Sequence, residues 1–505
     1  MVTAVYYFLP GILQNLWLLG VSVYYILQSE APVRTLIFLG GATVIVYLAG
    51  LAADQSREGR STLKKAVFLA ALFACLGFLL YFKYQNFLID VLNLVSPVKS
   101  AAAGTGAAVV SGRPHVSIAA PLGISFYTLQ LLGYLIDVYT GKYEAERNPL
   151  KIALFGLYFP QLTSGPINRY DDLEPYFSAR RKFDPEGIAA GALRFVWGLF
   201  KKLVISERAA VLVNTIFGTY EYYNGLYILF GVSLFAVQLY TDFSGCMDIV
   251  MGASKMLGIP MAENFDTPVF SQSVTEFWRR WHITLGTWFK DFVMYPLQKS
   301  NLLQAIGEKS KKAFGKKKGK KVPLYLAMLI LWLGVGFWHG GAIKYVIGSG
   351  VLHFTYIVIG RECKPLFDRI AALLHIDTET AGFRLFRRVR TFLLVCSGFM
   401  FFRADSVRMA LGMYRSLFSW NAGILTLSGL TGLGLDLQDI FVLVLAIILL
   451  LFVENIQQKT DITKAIAQQN LPARWLICLG LVFATMIFGM YGANYDAASF
   501  IYANF

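Results

Sequence analysis

Charge is scarce in this chain. Asp, Glu, Lys and Arg make up 15% of 505 residues, against 56% hydrophobic residues and a mean hydropathy of +0.54. A water-soluble fold of this length needs a far more polar surface, so that class is excluded. Cysteine is sparse as well. The five residues Cys75, Cys246, Cys363, Cys396 and Cys478 are scattered, with no Cys-x-x-Cys pair and no metal-ligand spacing. Neither a disulfide framework nor a zinc site is expected, and no bound metal or cofactor is called for. Acidic residues number 31 against 46 basic ones, a net charge of +15, yet the surplus lies between apolar runs and no nucleic-acid module is present. Nucleic acid is therefore not an expected partner. Also missing are a GxSxG elbow, a Walker loop, an HExxH helix and a Rossmann fingerprint. No internal repeat is visible. No cleavable signal peptide is clear, since the first apolar segment contains Pro10 and leads into further apolar segments.

What is there is apolar length. Segments fall at 5–27, 35–53, 66–84, 118–138, 188–205, 225–240, 322–338, 342–359, 391–402, 440–453 and 475–491, with shorter pieces at 86–95, 152–162, 247–258, 281–296 and 407–418. About 20 apolar residues cross a bilayer as a helix. The expectation is an all-α polytopic membrane protein of about eleven transmembrane helices. Pieces too short to cross suit re-entrant or amphipathic helices, tolerated at depth only where protein or a wet cavity surrounds them. The Ala/Gly/Ser-rich stretch 96–117, with Pro97 and Pro114, reads as an exposed loop. Aromatic residues, 15% of the chain, fit interfacial belts.

The strongest charge run is Lys309–Lys321, with eight lysines in thirteen residues, followed by a second basic stretch at Arg361–Arg390 and smaller ones at Arg57–Lys65 and Arg180–Lys182. Positive-inside topology puts 297–321 and 361–390 in the cytosol. The same lysines, Lys316, Lys317 and Lys318 among them, suit docking of an acidic cytosolic donor such as a coenzyme or a carrier protein. A helix from Val322 to His339 then carries His339 roughly 25 Å from the cytosolic face. His282 precedes the basic run by a short segment and is expected nearer the cytosolic half.

His282 and His339 are two of five histidines, and both sit among aromatics, in FWRRWHITLGTWFKDFVMYP and GVGFWHGG. An imidazole titrates near neutrality and can take a proton from a hydroxyl that attacks an ester or thioester carbonyl. An ionisable residue at membrane depth suggests function, although a packed helix-end histidine is the competing reading for His339. Around His282, Glu276 and Arg280 are spaced to pair on one helical face, with Arg279 and Asp291 close in sequence. A buried ion-pair network is the competing reading there. Asp137 and Asp242 read as helix-end carboxylates paired with loop arginines, His115 and His375 as solvated, and His353 as a core residue.

These stretches resemble the membrane-bound O-acyltransferases, in particular the bacterial branch of alginate O-acetylation and teichoic-acid D-alanylation subunits. The resemblance rests on PLGISFYTLQLLGYLIDVYTGK at 121–142, FPQLTSGPINRYDDLEP at 159–175 and YTDFSGCMDIVMGASKMLGIPMAENFDTP at 240–268. It continues through EFWRRWHITLGTWFKDFVMYPL at 276–297, GFWHGG at 336–341, FFRADS at 401–406 and FIYANF at 500–505. It implies a tunnelled catalytic core over 118–360, flanked by transmembrane segments at 1–117 and 361–505, in a bacterial cell membrane. It implies acyl transfer from a cytosolic thioester, either acetyl-coenzyme A or an acyl carrier protein, to a cell-envelope polymer. An extracytoplasmic SGNH-type or small relay partner is implied, besides membrane lipids. His339 would be catalytic and His282 the second essential histidine. Trp281, Trp288 and Trp338 would be tunnel walls, with Asp291 and Arg280 in support. Paired arginines at 279 and 280 look more like the acetylation type. D-alanyl transfer to teichoic acid stands as the alternative. A transporter is a distant one, since no inverted repeat is seen.

Overall fold

In a computed structural model, residues 2–54, 61–95, 98–101, 108–111, 113–116, 118 and 120–491 are described. The FIYANF segment at 500–505 lies outside them. Among the described residues the regular structure is helical, apart from an isolated bridge between Phe265 and Trp281 and a two-stranded antiparallel hairpin, Val98–Ala101 with Ala108–Ser111, inside the stretch read as a loop. Among the described residues seven helices are long and apolar enough to cross a membrane: Pro32–Ala53, Thr62–Lys83, Leu226–Met256, Val322–His339, Ile343–Glu362, Leu437–Gln457 and Leu471–Phe488. Gly11–Leu27 is apolar but shorter.

The expected spans differ from these elements for local reasons. Pro10 divides the first segment into Val2–Phe8 and Gly11–Leu27, because proline has no N–H for the helical ladder. The segments 225–240 and 247–258 are one helix of 31 residues. The polar Thr241–Gly245 between them is buried in protein, so apolarity alone does not mark the helix. The lysine-rich run lies in a helix, Asn301–Gly319, kinked at Gly315. Three π-helical turns, Lys201–Ser206, Lys290–Met294 and Val346–Leu352, interrupt otherwise α-helical segments. Such turns recur at functional sites.

The chain forms two compact units. The first comprises 1–163, 167–182 and 338–342. Ile124–Thr140 runs through it, buried over most of its surface. The helix starts after Gly123, whose φ of +69° and close approach to the Leu162 carbonyl leave no room for a Cβ. Glycine at this point of the PLGIS stretch is a steric requirement. At the end of the same helix Asp137 meets Lys142 at 3.4 Å and Arg169 at 3.6 Å, as a helix-end carboxylate.

The second unit comprises 164–166, 183–337 and 343–505. Its central pair is Pro185–Phe200 against Leu226–Met256. A Cβ on Gly191 would lie 2.7 Å from the Gly252 carbonyl oxygen, and one on Gly198 only 2.4 Å from that of Gly245. Both helices carry glycine at a seven-residue spacing, so the backbones close onto each other as in small-residue membrane packing. That closeness brings charged side chains together at depth. Lys201 reaches Asp248 at 2.5 Å, Arg194 reaches Asp248 at 2.8 Å, and Lys202 holds both Asp242 at 2.5 Å and Glu207 at 2.7 Å. Asp242 was read as a helix-end group. It is fully buried in mid-helix, and its partner is a lysine of a π-helical turn.

Candidate active site

His339 is the last residue of Val322–His339 and is buried. The last four carbonyls of a helix lack helical partners. Here the Trp338 carbonyl, one residue before the histidine, accepts from Lys83 Nζ at 2.7 Å and from Tyr84 Oη at 3.3 Å. Lys83 also donates to Ser125 Oγ at 3.1 Å and lies 5.2 Å from the Trp338 ring centroid. No carboxylate among the described residues pairs with Lys83. Its amine therefore serves the helix terminus as a hydrogen-bond donor to a carbonyl the helix leaves unpaired. Trp338 packs edge-on against Phe126 at 5.4 Å. The flanking glycines are packing positions: a Cβ on Gly334 would meet Phe289 at 2.8 Å, one on Gly336 the Tyr345 carbonyl oxygen at 2.9 Å, and one on Gly341 Phe87 at 3.0 Å.

His282 stands between the helices Val274–Arg280 and Ile283–Phe289. Its backbone is left-handed, with φ +47° and ψ +51°. That conformation is uncommon outside glycine and is sustained only where surroundings enforce it. The enforcing element is the extended run 264–266. Ile283 N–H donates to the Asn264 carbonyl at 3.0 Å, and Asp266 N–H to the Arg280 carbonyl at 2.9 Å. The Asn264 side chain completes the arrangement. Its Oδ1 accepts from Thr284 N–H at 3.1 Å and Thr284 Oγ1 at 2.9 Å, and lies 3.2 Å from His282 Nδ1. Its Nδ2 faces Met247 Sδ at 3.3 Å, which fixes the oxygen toward the histidine. An amide oxygen only accepts, so Nδ1 carries the proton and Nε2 the lone pair. The ring is clamped edge-on by Phe243 at 4.9 Å.

The remaining sequence-selected residues fall as follows. Trp281 is buried and stacks on Phe277 at 5.4 Å. Trp288 is buried between Phe289 and Phe292, at 5.3 and 5.1 Å. Arg280 makes the expected pair with Glu276, at 3.0 Å, and donates to Thr267 Oγ1 at 3.1 Å; the group bonded to His282 is Asn264 instead. Asp291 is half-buried in the π-helical turn Lys290–Met294. Lys316, Lys317 and Lys318 are exposed in the last turn of Asn301–Gly319. His353 is fully buried against Trp278 at 4.7 Å, as a core histidine. His115 is exposed and 2.6 Å from Asp90. Among the described residues no group of three His, Cys, Asp or Glu side chains could hold a metal ion. Sequence reasoning missed Asn264, Lys83, Tyr84 and the Lys201–Lys202 pair. The visible signals were two lysines inside an apolar segment and a lone lysine closing a span.

The sequence model of MBOAT, the membrane-bound O-acyltransferase family, matches residues 145–307. A probable alginate O-acetylase AlgI of Azotobacter vinelandii is 34% identical over 88% of this chain and 80% of its own length. The chain belongs to the membrane-bound O-acyltransferase family. A peptidoglycan O-acetyltransferase of Helicobacter pylori is 26% identical over 81% of this chain and 74% of its own. A teichoic acid D-alanyltransferase of Streptococcus thermophilus is 30% identical over 47% of this chain and 56% of its own. This membrane-bound O-acyltransferase is thus a multi-pass membrane enzyme of acyl transfer.

Proposed function

We propose that this enzyme moves an acetyl group from a cytosolic thioester, acetyl-coenzyme A, across the membrane for O-acetylation of an exported cell-envelope polysaccharide. The observation that carries this reading is the similarity to an alginate O-acetylase over 80% of that protein's length. His339 acts as general base. It takes the proton of the acceptor hydroxyl as that oxygen attacks the thioester carbonyl, the C–S bond breaks, and the imidazolium returns the proton to the departing thiolate. Lys83 and Tyr84 support the role by holding the carbonyl before His339, which sets where the imidazole stands. His282, with Nδ1 held by Asn264, presents Nε2 as its basic atom and serves the passage of the acyl group. Trp281, Trp288 and Trp338 exclude water that would hydrolyse the thioester. Arg280 and Asp291 steady the segment around His282. Lys316, Lys317 and Lys318 receive the acidic donor, and an extracytoplasmic SGNH-type or relay protein takes the acyl group onward.

The match to a teichoic acid D-alanyltransferase favours a second reading, D-alanyl transfer from a carrier protein. Transfer of radiolabelled acetyl from acetyl-coenzyme A in proteoliposomes, with His339→Ala alongside, separates the two. Label transfer lost in the variant supports acetyl transfer. Transfer only from a D-alanyl carrier protein replaces the donor and keeps the histidine.

A further inference from the structure

The second unit contains a cavity of about 980 Å³ bounded by Pro185–Phe200, Leu226–Met256, Leu437–Gln457 and Leu471–Phe488, with the run 264–267, residues 460–463 and Ile466 completing its lining. Its floor is one stripe of the long helix, from Tyr240 through Ser244 and Asp248 to Lys255. Fifteen residues of helix make that stripe about 22 Å long. The opposite wall is apolar along Leu449, Phe452 and 476–484 and polar at Glu454, Gln457, Thr460 and Asp461; Phe452 and Leu476 are 61% and 76% exposed, so the cavity opens on its apolar side toward the bilayer.

The polar lining is unbalanced. Five carboxylates face three cations. Two of the cations are already engaged, Lys201 by Asp248 and Ser244, and Arg194 by Asp248 and Glu263. Of the other three carboxylates Asp266 and Asp461 are exposed, and Glu454 is the buried one. It is 2% exposed, in the last turn of a helix that is apolar from Ile440 to Val453. Its Oε1 accepts from the Tyr240 hydroxyl, while Oε2 has no hydrogen-bond partner among the described residues. A buried carboxyl oxygen without a donor is costly, and such groups in membrane helices pair with something. The missing partner is a donor, and the cavity beside Glu454 is where it can enter.

We propose that this cavity binds a phospholipid whose headgroup carries a primary ammonium, its N–H donors on Glu454 Oε2 and its acyl chains along Phe452, Ile477, Gly480 and Leu481. The net negative lining selects against a purely anionic headgroup. The bare acceptor selects a head with N–H donors over a quaternary one. The cavity's opening toward the bilayer selects a lipid over a soluble amine. This lipid site takes nothing from the acyl-transfer reading, and the cavity shares one wall, 264–267, with the surroundings of His282.

The test is native mass spectrometry of the full-length protein titrated with phosphatidylethanolamine, phosphatidylcholine and phosphatidylglycerol of matched chains. One phosphatidylethanolamine should be retained about tenfold more tightly than either other lipid, the scale of a hydrogen bond to a charged group. Glu454→Gln should bring it to the phosphatidylcholine level. A second variant, Gly480→Trp, fills the apolar lane from a position where a Cβ meets nothing within 4 Å. It should abolish retention with helix content by circular dichroism unchanged. Equal retention of the three lipids, or wild-type retention in both variants, would overturn the proposal. So would displacement of the lipid by millimolar ethanolamine alone.

Discussion

Replacing Asn264 with alanine removes one oxygen that serves three donors around His282. The Thr284 hydroxyl can rotate to another acceptor. The Thr284 N–H and the His282 Nδ1–H are fixed by backbone and ring, and both lose this acceptor. At about 1–3 kcal/mol for each buried donor left without one, Asn264→Ala should destabilise the protein by about 2–6 kcal/mol. The consequence for transfer is separate. Without the amide oxygen the imidazole is free to exchange tautomers, which alone costs little more than half the competent population. Its left-handed backbone also loses a restraint, and a misplacement of about 1 Å costs on the order of 100-fold in rate. The assay pairs initial rates of acetyl transfer in proteoliposomes with thermal unfolding of the purified protein followed by tryptophan fluorescence. Asn264→Asp keeps an acceptor and should recover stability more than rate, with a displaced pH profile, because it pairs a charge with the ring. Asn264→Ala with wild-type rate and unchanged melting would refute the account of how His282 is held.

Further outcomes follow from single contacts. His282→Gly and His282→Ala should both be inactive, but the glycine variant should be the more stable by about 1 kcal/mol, since it relieves the left-handed strain at φ +47°. Lys83→Met should lower transfer strongly while Lys83→Arg partly restores it, because the role is donation to the Trp338 carbonyl at 2.7 Å; equal rates in wild type and Lys83→Met would remove Lys83 from the site. Gly198→Ala places a Cβ 2.4 Å from the Gly245 carbonyl oxygen and should lower the melting temperature more than Gly480→Ala, where nothing is near. Burial alone would raise the Glu146 carboxyl, but bonds from Asn148 N–H and Tyr170 Oη and the charge of Lys151 hold it below its ordinary 4.5. Its stabilising contribution is therefore present at neutral pH and lost as pH falls below about 4.5; Lys151→Met should flatten that acid limb of melting temperature against pH.

Part of this molecule was legible in one dimension. Apolar runs gave the membrane class and most helices, because burial in lipid demands both apolar side chains and a backbone that satisfies itself. The Glu276–Arg280 pair followed from helical spacing. The spaced motifs identified the family that the comparisons then established. Where local polarity and local structure part company, the sequence misled. The lysine run Asn301–Gly319 is helical although charged, and Thr241–Gly245 is helical although polar, because protein and not lipid surrounds it.

Partners distant in sequence were decided only by the fold. Asn264 meets His282 eighteen residues away, and Lys83 meets the Trp338 carbonyl across 255 residues. The Lys201–Asp248 contact exists because glycines let two helices close, and the Glu454 cavity because two later helices stand beside them. Helical period and hydropathy are properties of neighbours along the chain. The acceptor a buried donor finds depends on how those helices close in space, and there the chemistry of each histidine was set.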